Sequence, residues 1–242
     1  MSNKNAGLIT QIYGIRTLED ALMCAELGAD HIGIEFGEVK RTGPWQMSGE
    51  EAKAIFDQLP ENVVKIGLTI APDVDEILND LSIYCPDVLH LSGNVEDFSP
   101  EKVKRIREAF PALRIKQALP VLAGVPYEAQ WPHILKVIRD YESLSDFFLI
   151  DTKDPDSDIG IGVTGLTHDW RIDRAIIEAT AVPCIIAGGL DGDNVAEAIR
   201  MTKPYGVDSN SRTSIPESMR EPGGNGKDPE KVKAFIEAAL NA

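Results

Sequence analysis

The chain alternates short apolar runs with segments of helical periodicity, and this alternation repeats eight times. Runs of about four to eight residues rich in Ile, Val and Leu are typical of buried strands in a parallel sheet. The segments between them carry apolar residues at the spacing of an amphipathic helix. The predicted strands are Leu8–Tyr13, His31–Phe36, Val63–Ile70, Val88–Leu91, Leu113–Leu119, Phe147–Asp151, Pro183–Ala187 and Gly206–Ser209.

Local start signals support helices after these strands. Thr17 and Asp73 are residue types that cap helix N-termini, and Ser48 with Glu51 has the spacing of a capping box. Pro100 suits the first helical position. The predicted helices are Thr17–Leu27, one from Ser48, Asp73–Tyr84, one from Ser99, Trp131–Tyr141, one from Asp169, Asn194–Met201 and Pro229–Leu240.

Eight strand–helix units in 242 residues predict a single (β/α)8 TIM barrel that forms one domain over residues 1–242. A hydrophobic content of 43% is enough for one full core. A doubly wound open sheet is the alternative. It usually has fewer strands, and no feature of this chain marks a division into two halves.

The net charge of −15 argues against nucleic acid and anionic membranes as partners. No apolar run approaches the length of a membrane span, and the N-terminus lacks the apolar core of a signal peptide, so we expect a cytoplasmic protein. The three cysteines, Cys24, Cys85 and Cys184, are scattered and predict neither a disulfide framework nor a C-x-x-C pair.

Two glycine-rich segments, Gly162–Trp170 and Ala187–Leu190, each follow a predicted strand and precede a predicted helix. Glycine lets backbone N–H groups approach an anion closely, and the next helix N-terminus adds partial positive charge. Tight strand-to-helix turns would explain one such segment. Two of them in the last third of the chain favour a phosphate site, because TIM barrels often have one after strands seven and eight.

The alternation of side chains along the strands predicts which residues face the barrel interior. On strand three, Ile66 and Leu68 share one face and Thr69 lies on the other; on strand four, His90 opposes its apolar neighbours. We expect the apolar faces to meet the helices and the polar faces to point inward. The polar residues that this argument places around the mouth are Glu35, Thr69, His90, Lys116, Asp151 and Asp208. Instead of taking part in catalysis, Lys116 could form a structural ion pair with Glu35.

Several segments of the chain resemble the phosphoribosylanthranilate isomerase family of the tryptophan pathway. The family's Gly-x-x-Phe-Asp-Trp pattern is similar to Gly165–Trp170, with His168 at the phenylalanine position. Its Ala-Gly-Gly-Leu pattern is similar to Ala187–Leu190. Its strand-one Lys-Ile-Cys-Gly is similar to Gln11–Gly14. The other matching elements are Asp151, Asn194-Val195, Gly206-Val207-Asp208, Ser211 and Lys227-Asp228.

The resemblance implies an Amadori rearrangement, in which an N-linked aminoaldose phosphate becomes an aminoketose. That chemistry needs an acid at the ring oxygen, a base at the C2 proton and an anchor for the phosphate. The resemblance gives Asp151 the role of the acid. Phosphate binding then falls to the backbone of Gly165, Gly188 and Gly189 and to the segment after strand eight. A small phosphorylated molecule is the expected partner, with no cofactor and no metal, and the protein is expected to be a monomer or homodimer.

The chain departs from the family at several site positions. Tyr13 stands where the family has its cysteine base, and an unassisted phenol is mostly protonated at neutral pH. Tyr13 is therefore either a base activated by a cation or a bulky filler, and Glu35 is a replacement base. His90 is either an acid–base group or a neutral hydrogen-bonded histidine.

Two arginines are candidate ligands for charged parts of the substrate. Arg41 is nearest to the position of the family's arginine for the anthranilate carboxylate, and its alternative is an ordinary solvated side chain. Arg212 follows Ser211 after strand eight, and it either strengthens phosphate binding or blocks the side of the site that would hold the anthranilate. Ser211 and Asp208 are further candidates for contact with the substrate.

These departures leave other functions open. One is a paralogue that acts on another sugar phosphate as an epimerase or lyase. Another is a binder of phosphorylated ligands without activity. A metal enzyme in which Glu35, His90 and Asp208 converge is a weaker alternative, because no ligand-spaced motif supports it.

Overall fold

Eight parallel strands pair in sequence order, and the first also pairs with the last, so the sheet closes into a barrel. The computed structural model describes residues 7–41, 46–155, 167–221 and 226–242. This closed ladder confirms the predicted (β/α)8 TIM barrel and excludes the open sheet. The strands are β1 (Ile9–Ile12), β2 (His31–Glu35), β3 (Val64–Thr69), β4 (Val88–Leu91), β5 (Arg114–Leu122), β6 (Phe147–Lys153), β7 (Cys184–Ile186) and β8 (Gly206–Ser209).

An α-helix follows each strand in the described part of the chain, and its apolar face packs on the outside of the barrel. Thr17 accepts a hydrogen bond from the Asp20 N–H, and Ser48 and Glu51 form the predicted capping box. None of the described helices is long and apolar enough to cross a membrane. The helices are α1 (Leu18–Glu26), α2 (Gly49–Phe56), α3 (Val74–Ile83), α4 (Pro100–Ala109), α5 (Tyr127–Tyr141), α6 (Trp170–Ala179), α7 (Val195–Thr202) and α8 (Pro229–Leu240).

Helix α5 begins at Tyr127, four residues before the predicted start. The predicted start near Trp131 was therefore too late, and Pro132 lies inside the helix. The Gln130 side chain explains why the earlier turn is stable. It accepts from the Leu122 N–H at 2.9 Å and donates to the Val125 carbonyl at 2.8 Å, which ties the start of the helix to the end of β5.

The barrel interior is an apolar core of its own, and this corrects the prediction for strand three. Ile66 is fully buried in a cluster with Val88, Leu149 and Ile185 from strands around the barrel. Thr69 therefore lies on the outward face of β3. An alternating strand shows its two faces but does not show which one is inside, because TIM barrels fill their interior with layers of branched apolar residues.

The Tyr13 ring lies directly over Gly33 inside the barrel. A Cβ added to Gly33 would be 2.0 Å from Cδ1 of Tyr13, far below any van der Waals contact. The missing side chain on β2 therefore gives the tyrosine room to extend across the interior. The ring is only 4% exposed and packs in the same cluster as Ile66.

We predict that Gly33→Ala lowers the free energy of unfolding by about 1–3 kcal/mol, because the new methyl group forces the Tyr13 ring out of its position. Chemical denaturation measures this loss. In a Tyr13→Ala background the same glycine substitution should cost much less, since the clashing ring is gone. Equal costs in both backgrounds would show that the ring does not depend on Gly33.

Candidate active site

Asp151 lies near the C-terminal end of β6, and its Oδ1 accepts a hydrogen bond from the Thr152 N–H at 2.7 Å. Burial raises the pKa of its carboxyl from the ordinary value to about 7, with a further rise from the nearby charge of Asp208. A substantial fraction of Asp151 is therefore protonated at neutral pH. A carboxylic acid in this state is suited to donate a proton.

Asp208 on β8 is the second inward carboxyl and is only 5% exposed. Burial raises its pKa to about 6, although a hydrogen bond from Gln11 and the charge of Lys116 both oppose the rise. The Gln11 Nε2 group donates to Asp208 Oδ1 at 2.9 Å. Asp208 is thus mostly ionised at neutral pH, while Asp151 is poised between its two forms.

Only β7 separates the strands that carry the two carboxyls. Ile150 on β6 pairs with Ile186 on β7, which pairs in turn with Val207 on β8. The next residues along these strands, Asp151, Ala187 and Asp208, therefore lie side by side. The small Ala187 side chain lies in the interior cluster between these strands. The partly protonated Asp151 and the ionised Asp208 thus lie on either side of Ala187.

Lys116 supports this pair from the barrel interior. Its Nζ donates to Gln11 Oε1, and His31 Nδ1 lies 3.3 Å from the same oxygen. Lys116 is fully buried, and burial lowers the pKa of its ammonium to about 7. The lysine thus contacts Gln11, whose amide connects it to Asp208.

The Tyr13 hydroxyl lies 2.7 Å from His90 Nδ1, and both side chains are buried. Burial and the charges of Asp208 and Asp151 raise the pKa of Tyr13 well above its ordinary value. Burial lowers the pKa of His90 well below its usual value, with a further contribution from Lys116. At neutral pH the pair is a phenol bonded to a neutral imidazole. This favours the interpretation of Tyr13 as a filler.

His90 Nε2 is buried and has no hydrogen-bond partner within the described residues. Because Tyr13 occupies Nδ1, Nε2 is the only nitrogen of this ring left for a further contact. A buried polar atom without a partner is costly and often marks a functional position. The inward position of His90 agrees with its predicted face on strand four.

Gly188 and Gly189 follow β7 with φ angles of +87° and +64°. These left-handed conformations suit glycine and turn the chain toward α7. Asn194 holds the turn, since its side chain accepts from the Asp191 N–H at 3.0 Å and donates to the Gly189 carbonyl at 2.9 Å. The predicted companion, Gly165, lies outside the described residues.

The segment after β8 lies beside this turn. Ser211 and Arg212 begin a short 3₁₀ helix, Ser211–Thr213, and both are exposed. Arg212 Nη1 is 3.9 Å from Asp191 Oδ2, so the arginine faces the loop that follows β7. The structure therefore places Arg212 against the loop that continues the Gly188–Gly189 turn, and the role of these residues in binding phosphate stays a prediction.

The other two predicted residues lie on the opposite side of the mouth. Glu35 ends β2 and is half-buried. Arg41 makes a bidentate ion pair with Glu76 on α3, with N–O distances of 2.6 and 2.7 Å. A ligand carboxylate would have to compete with Glu76 for this guanidinium.

The structure gives contacts to two residues that the sequence analysis named without assigning them a role. Lys227 is buried, and its Nζ donates to the Asn210 carbonyl and to Ser214 Oγ, both at 2.9 Å. Burial lowers the pKa of Lys227 to about 7. His168 and Asp173 form a buried pair behind Gly188. The signal for His168 was present, since it replaces the phenylalanine of the motif, whereas only the fold places Lys227 beside Asn210.

Within the described part of the chain, no group of three or more His, Cys, Asp or Glu side chains is arranged to hold a metal ion. Glu35, His90 and Asp208 therefore do not form such a group. His90 instead pairs with Tyr13. The geometry gives the metal alternative no support.

The family model for N-(5'-phosphoribosyl)anthranilate isomerase matches residues 10–238. The chain belongs to this family. N-(5'-phosphoribosyl)anthranilate isomerase 2 of Methanosarcina mazei is 31% identical over 96% of this chain and 93% of that protein. The phosphoribosylanthranilate isomerase structure from Thermotoga maritima is 26% identical, covers 97% of this chain and 100% of that one, and gives a TM-score of 0.72.

A further isomerase structure of this family shares the fold, with 24% identity, a TM-score of 0.69 and coverage of 97% of this chain and 100% of that one. It is a complex with reduced 1-(o-carboxyphenylamino)-1-deoxyribulose 5-phosphate. The match begins at residue 10, within β1, so Tyr13 lies inside the matched region.

We predict that Tyr13→Phe lowers the free energy of unfolding by about 1–2 kcal/mol, because His90 Nδ1 loses its partner in a buried site. Turnover should stay within about threefold of the wild type, since a phenol whose pKa is raised well above its ordinary value is a poor base at neutral pH. Thermal unfolding and steady-state kinetics measure the two effects.

Tyr141→Phe is the matched control. The Tyr141 hydroxyl also makes a buried hydrogen bond, 2.7 Å to the Phe98 carbonyl, but it lies on α5 outside the barrel interior. It should cost similar stability and leave turnover unchanged. A loss of turnover of about a hundredfold or more in Tyr13→Phe alone would establish Tyr13 as a participant in proton transfer.

Proposed function

We propose that this chain is an N-(5'-phosphoribosyl)anthranilate isomerase of tryptophan biosynthesis, which converts its aminoaldose substrate to an aminoketose. Membership of the family and the two inward carboxyls on β6 and β8 support this assignment. The observation that carries it is the Asp151 carboxyl, which burial keeps partly protonated at neutral pH at the catalytic end of the barrel.

Asp151 is the general acid in this proposal. It donates its proton to the ring oxygen of the ribose, and the C1–O bond breaks as the amine nitrogen supplies electrons to form an iminium. Proton loss from C2 then gives an enamine, whose enol tautomerises to the ketose. No oxidant or reductant is consumed, because C1 is reduced while C2 is oxidised within one molecule.

We assign the C2 base to Asp208, which is ionised at neutral pH and is held by Gln11. Its strand lies two away from that of Asp151, so the two groups face the carbon skeleton from different directions. Glu35 at the end of β2 is the alternative base. Tyr13 fills the interior beside them, and His90 supplies a neutral hydrogen-bond donor through Nε2.

The proposed phosphate site consists of the Gly188–Gly189 turn and the segment with Ser211 and Arg212. Gly165 belongs to it by resemblance. Arg41 is proposed for the carboxylate of the aromatic ring. The phosphate on the ligand of the solved family complex supports a phosphorylated partner for this chain. That the protein binds no nucleic acid, lies in the cytoplasm and is a monomer or homodimer stays a prediction.

A second candidate is isomerisation of another sugar phosphate, and the bulk of Tyr13 over Gly33 favours it by reducing the interior space. Fluorescence-monitored turnover of phosphoribosylanthranilate by the purified protein tests the first assignment. Turnover of a different sugar phosphate, with none of the anthranilate derivative, would favour the second.

We predict that Asp151→Asn lowers kcat by about a hundredfold or more, because an amide cannot donate the proton. The same change should raise the free energy of unfolding at pH 8 by about 1 kcal/mol or more. The folded pKa of Asp151 is raised, so its ionisation costs stability as pH rises from about 4 to about 7, and that cost is complete at pH 8. At pH 4 the two proteins should differ little.

Asp193→Asn is the control, since Asp193 is an exposed carboxylate in the loop before α7. It should change neither turnover nor stability. Full activity in Asp151→Asn would refute the role of Asp151 as the acid.

We predict a narrow bell-shaped dependence of kcat on pH. Activity should fall below about pH 6 as Asp208 becomes protonated, and above about pH 7 as Asp151 loses its proton. Rate measurements between pH 5 and pH 9 test this shape. Asp208→Asn and Glu35→Gln identify the group behind the acid limb, because the substitution of the true base abolishes turnover and the other preserves it.

A further inference from the structure

Three buried side chains, which contact one another in series, lie behind the turn that follows β7. Thr152 Oγ1 is 2.8 Å from His168 Nδ1, and His168 Nε2 is 2.5 Å from Asp173 Oδ1. The side chains of His168 and Asp173 are 1% and 0% exposed. Asp173 belongs to α6, whereas Thr152 belongs to β6, so the histidine joins a strand to the next helix.

This group of side chains touches Gly188. A Cβ added to Gly188 would lie 2.1 Å from Thr152 Oγ1 and 3.1 Å from His168 Nδ1. The hydroxyl and the edge of the imidazole are therefore the surface against which the turn packs. Any side chain at position 188 would displace them.

The pair is polar, and its imidazole is nearer to the turn than its carboxylate. Burial by itself lowers the pKa of His168, but contact with Asp173 outweighs this effect and raises it. The other charged groups that raise it are Asp151 and Asp169. On β7, the Cys184 thiol faces Asp173 and stays neutral, because burial raises its pKa to about 12. The imidazole edge lies toward Gly188 and the Asp173 carboxyl lies away from it, so the protonated form of His168 presents its charge to the turn.

We propose that the Thr152–His168–Asp173 group directs positive charge to the Gly188–Gly189 turn and thereby strengthens binding of the substrate phosphate. The inference rests on the proposed function, which assigns the phosphate to this turn.

The same order of groups occurs in nucleophilic relays, in which a hydroxyl, a histidine and a carboxylate act in sequence. Thr152 is 0% exposed and lies under the backbone of Gly188, so a substrate atom cannot reach its hydroxyl. The three residues are therefore positioning residues.

The test is the near-isosteric substitution Asp173→Asn, with sulfate as the probe. Sulfate stays a dianion through the neutral range, so its binding reports the protein's charges. Without the carboxylate the buried imidazole is neutral, and we expect the Kd for sulfate at pH 7, measured by calorimetry, to rise about tenfold. The KM for phosphoribosylanthranilate should rise by a similar factor, while kcat changes less than threefold.

Thr152→Val is the second variant. It keeps the shape of the side chain but removes the hydroxyl between the imidazole and the turn, so sulfate should again bind less tightly. Glu178→Gln is the matched control, because it removes a carboxylate of α6 that pairs with Arg174 and does not contact the imidazole. Sulfate affinity in this control should not fall.

The outcomes separate this inference from the proposed function. Wild-type protein that binds sulfate, together with Asp173→Asn protein that binds it equally well and has an unchanged melting temperature, would overturn the inference alone. A fall in kcat with unchanged sulfate affinity would also overturn it, because the group would then act on Asp151. Wild-type protein that neither binds sulfate nor turns over the substrate would refute the proposed function.

Discussion

The closed ladder of eight strands is the constraint on which the site depends. Closure creates an interior that excludes water, and any titratable group that points inward loses its hydration. Asp151, Asp208 and Lys116 all do so, and their pKa values move toward neutrality, to about 7, 6 and 7. In water these side chains would keep their ordinary pKa values, so the position that the strands give them inside the barrel is what suits them to acid–base chemistry at neutral pH.

Tyr13 shows how one substitution is absorbed by its neighbours. The ring needs the space over Gly33, and the hydroxyl needs the imidazole of His90. The three positions lie on β1, β2 and β4 or just beyond them, and together they form one packed unit in the interior. The position that resembles the family's cysteine therefore holds a neutral hydrogen-bonded group, and we place the base on another strand.

On the opposite side of the barrel mouth, the proposed phosphate site consists mainly of backbone groups. The Gly188–Gly189 turn is held from one side by Asn194 and from behind by Thr152 and His168. The net charge of −15 makes the surface a poor attractor of anions, so a phosphate has to be held by local donors. In our proposal, the buried His168–Asp173 pair supplies local charge at the turn without an exposed basic patch.

The sequence by itself determined the fold and named most of the residues of the candidate site. Eight strand–helix units predicted the barrel, and capping residues such as Thr17 and Ser48 marked helix starts that the structure confirms. The glycine turn and Asp151 were identified from local pattern and resemblance. Periodicity and capping depend on residues that are close together in the sequence, so they can be recognised before the three-dimensional structure is known.

Only the tertiary structure decided which face of β3 is inside, how Tyr13 is held and how far each pKa moves. Strand three was assigned the wrong way round because both faces of a barrel strand are buried. The contacts of Tyr13 with Gly33 and His90, and of His168 with Thr152 and Asp173, join different elements of the fold. Burial and charge at such contacts depend on three-dimensional distance, and the order of residues along the chain does not specify it.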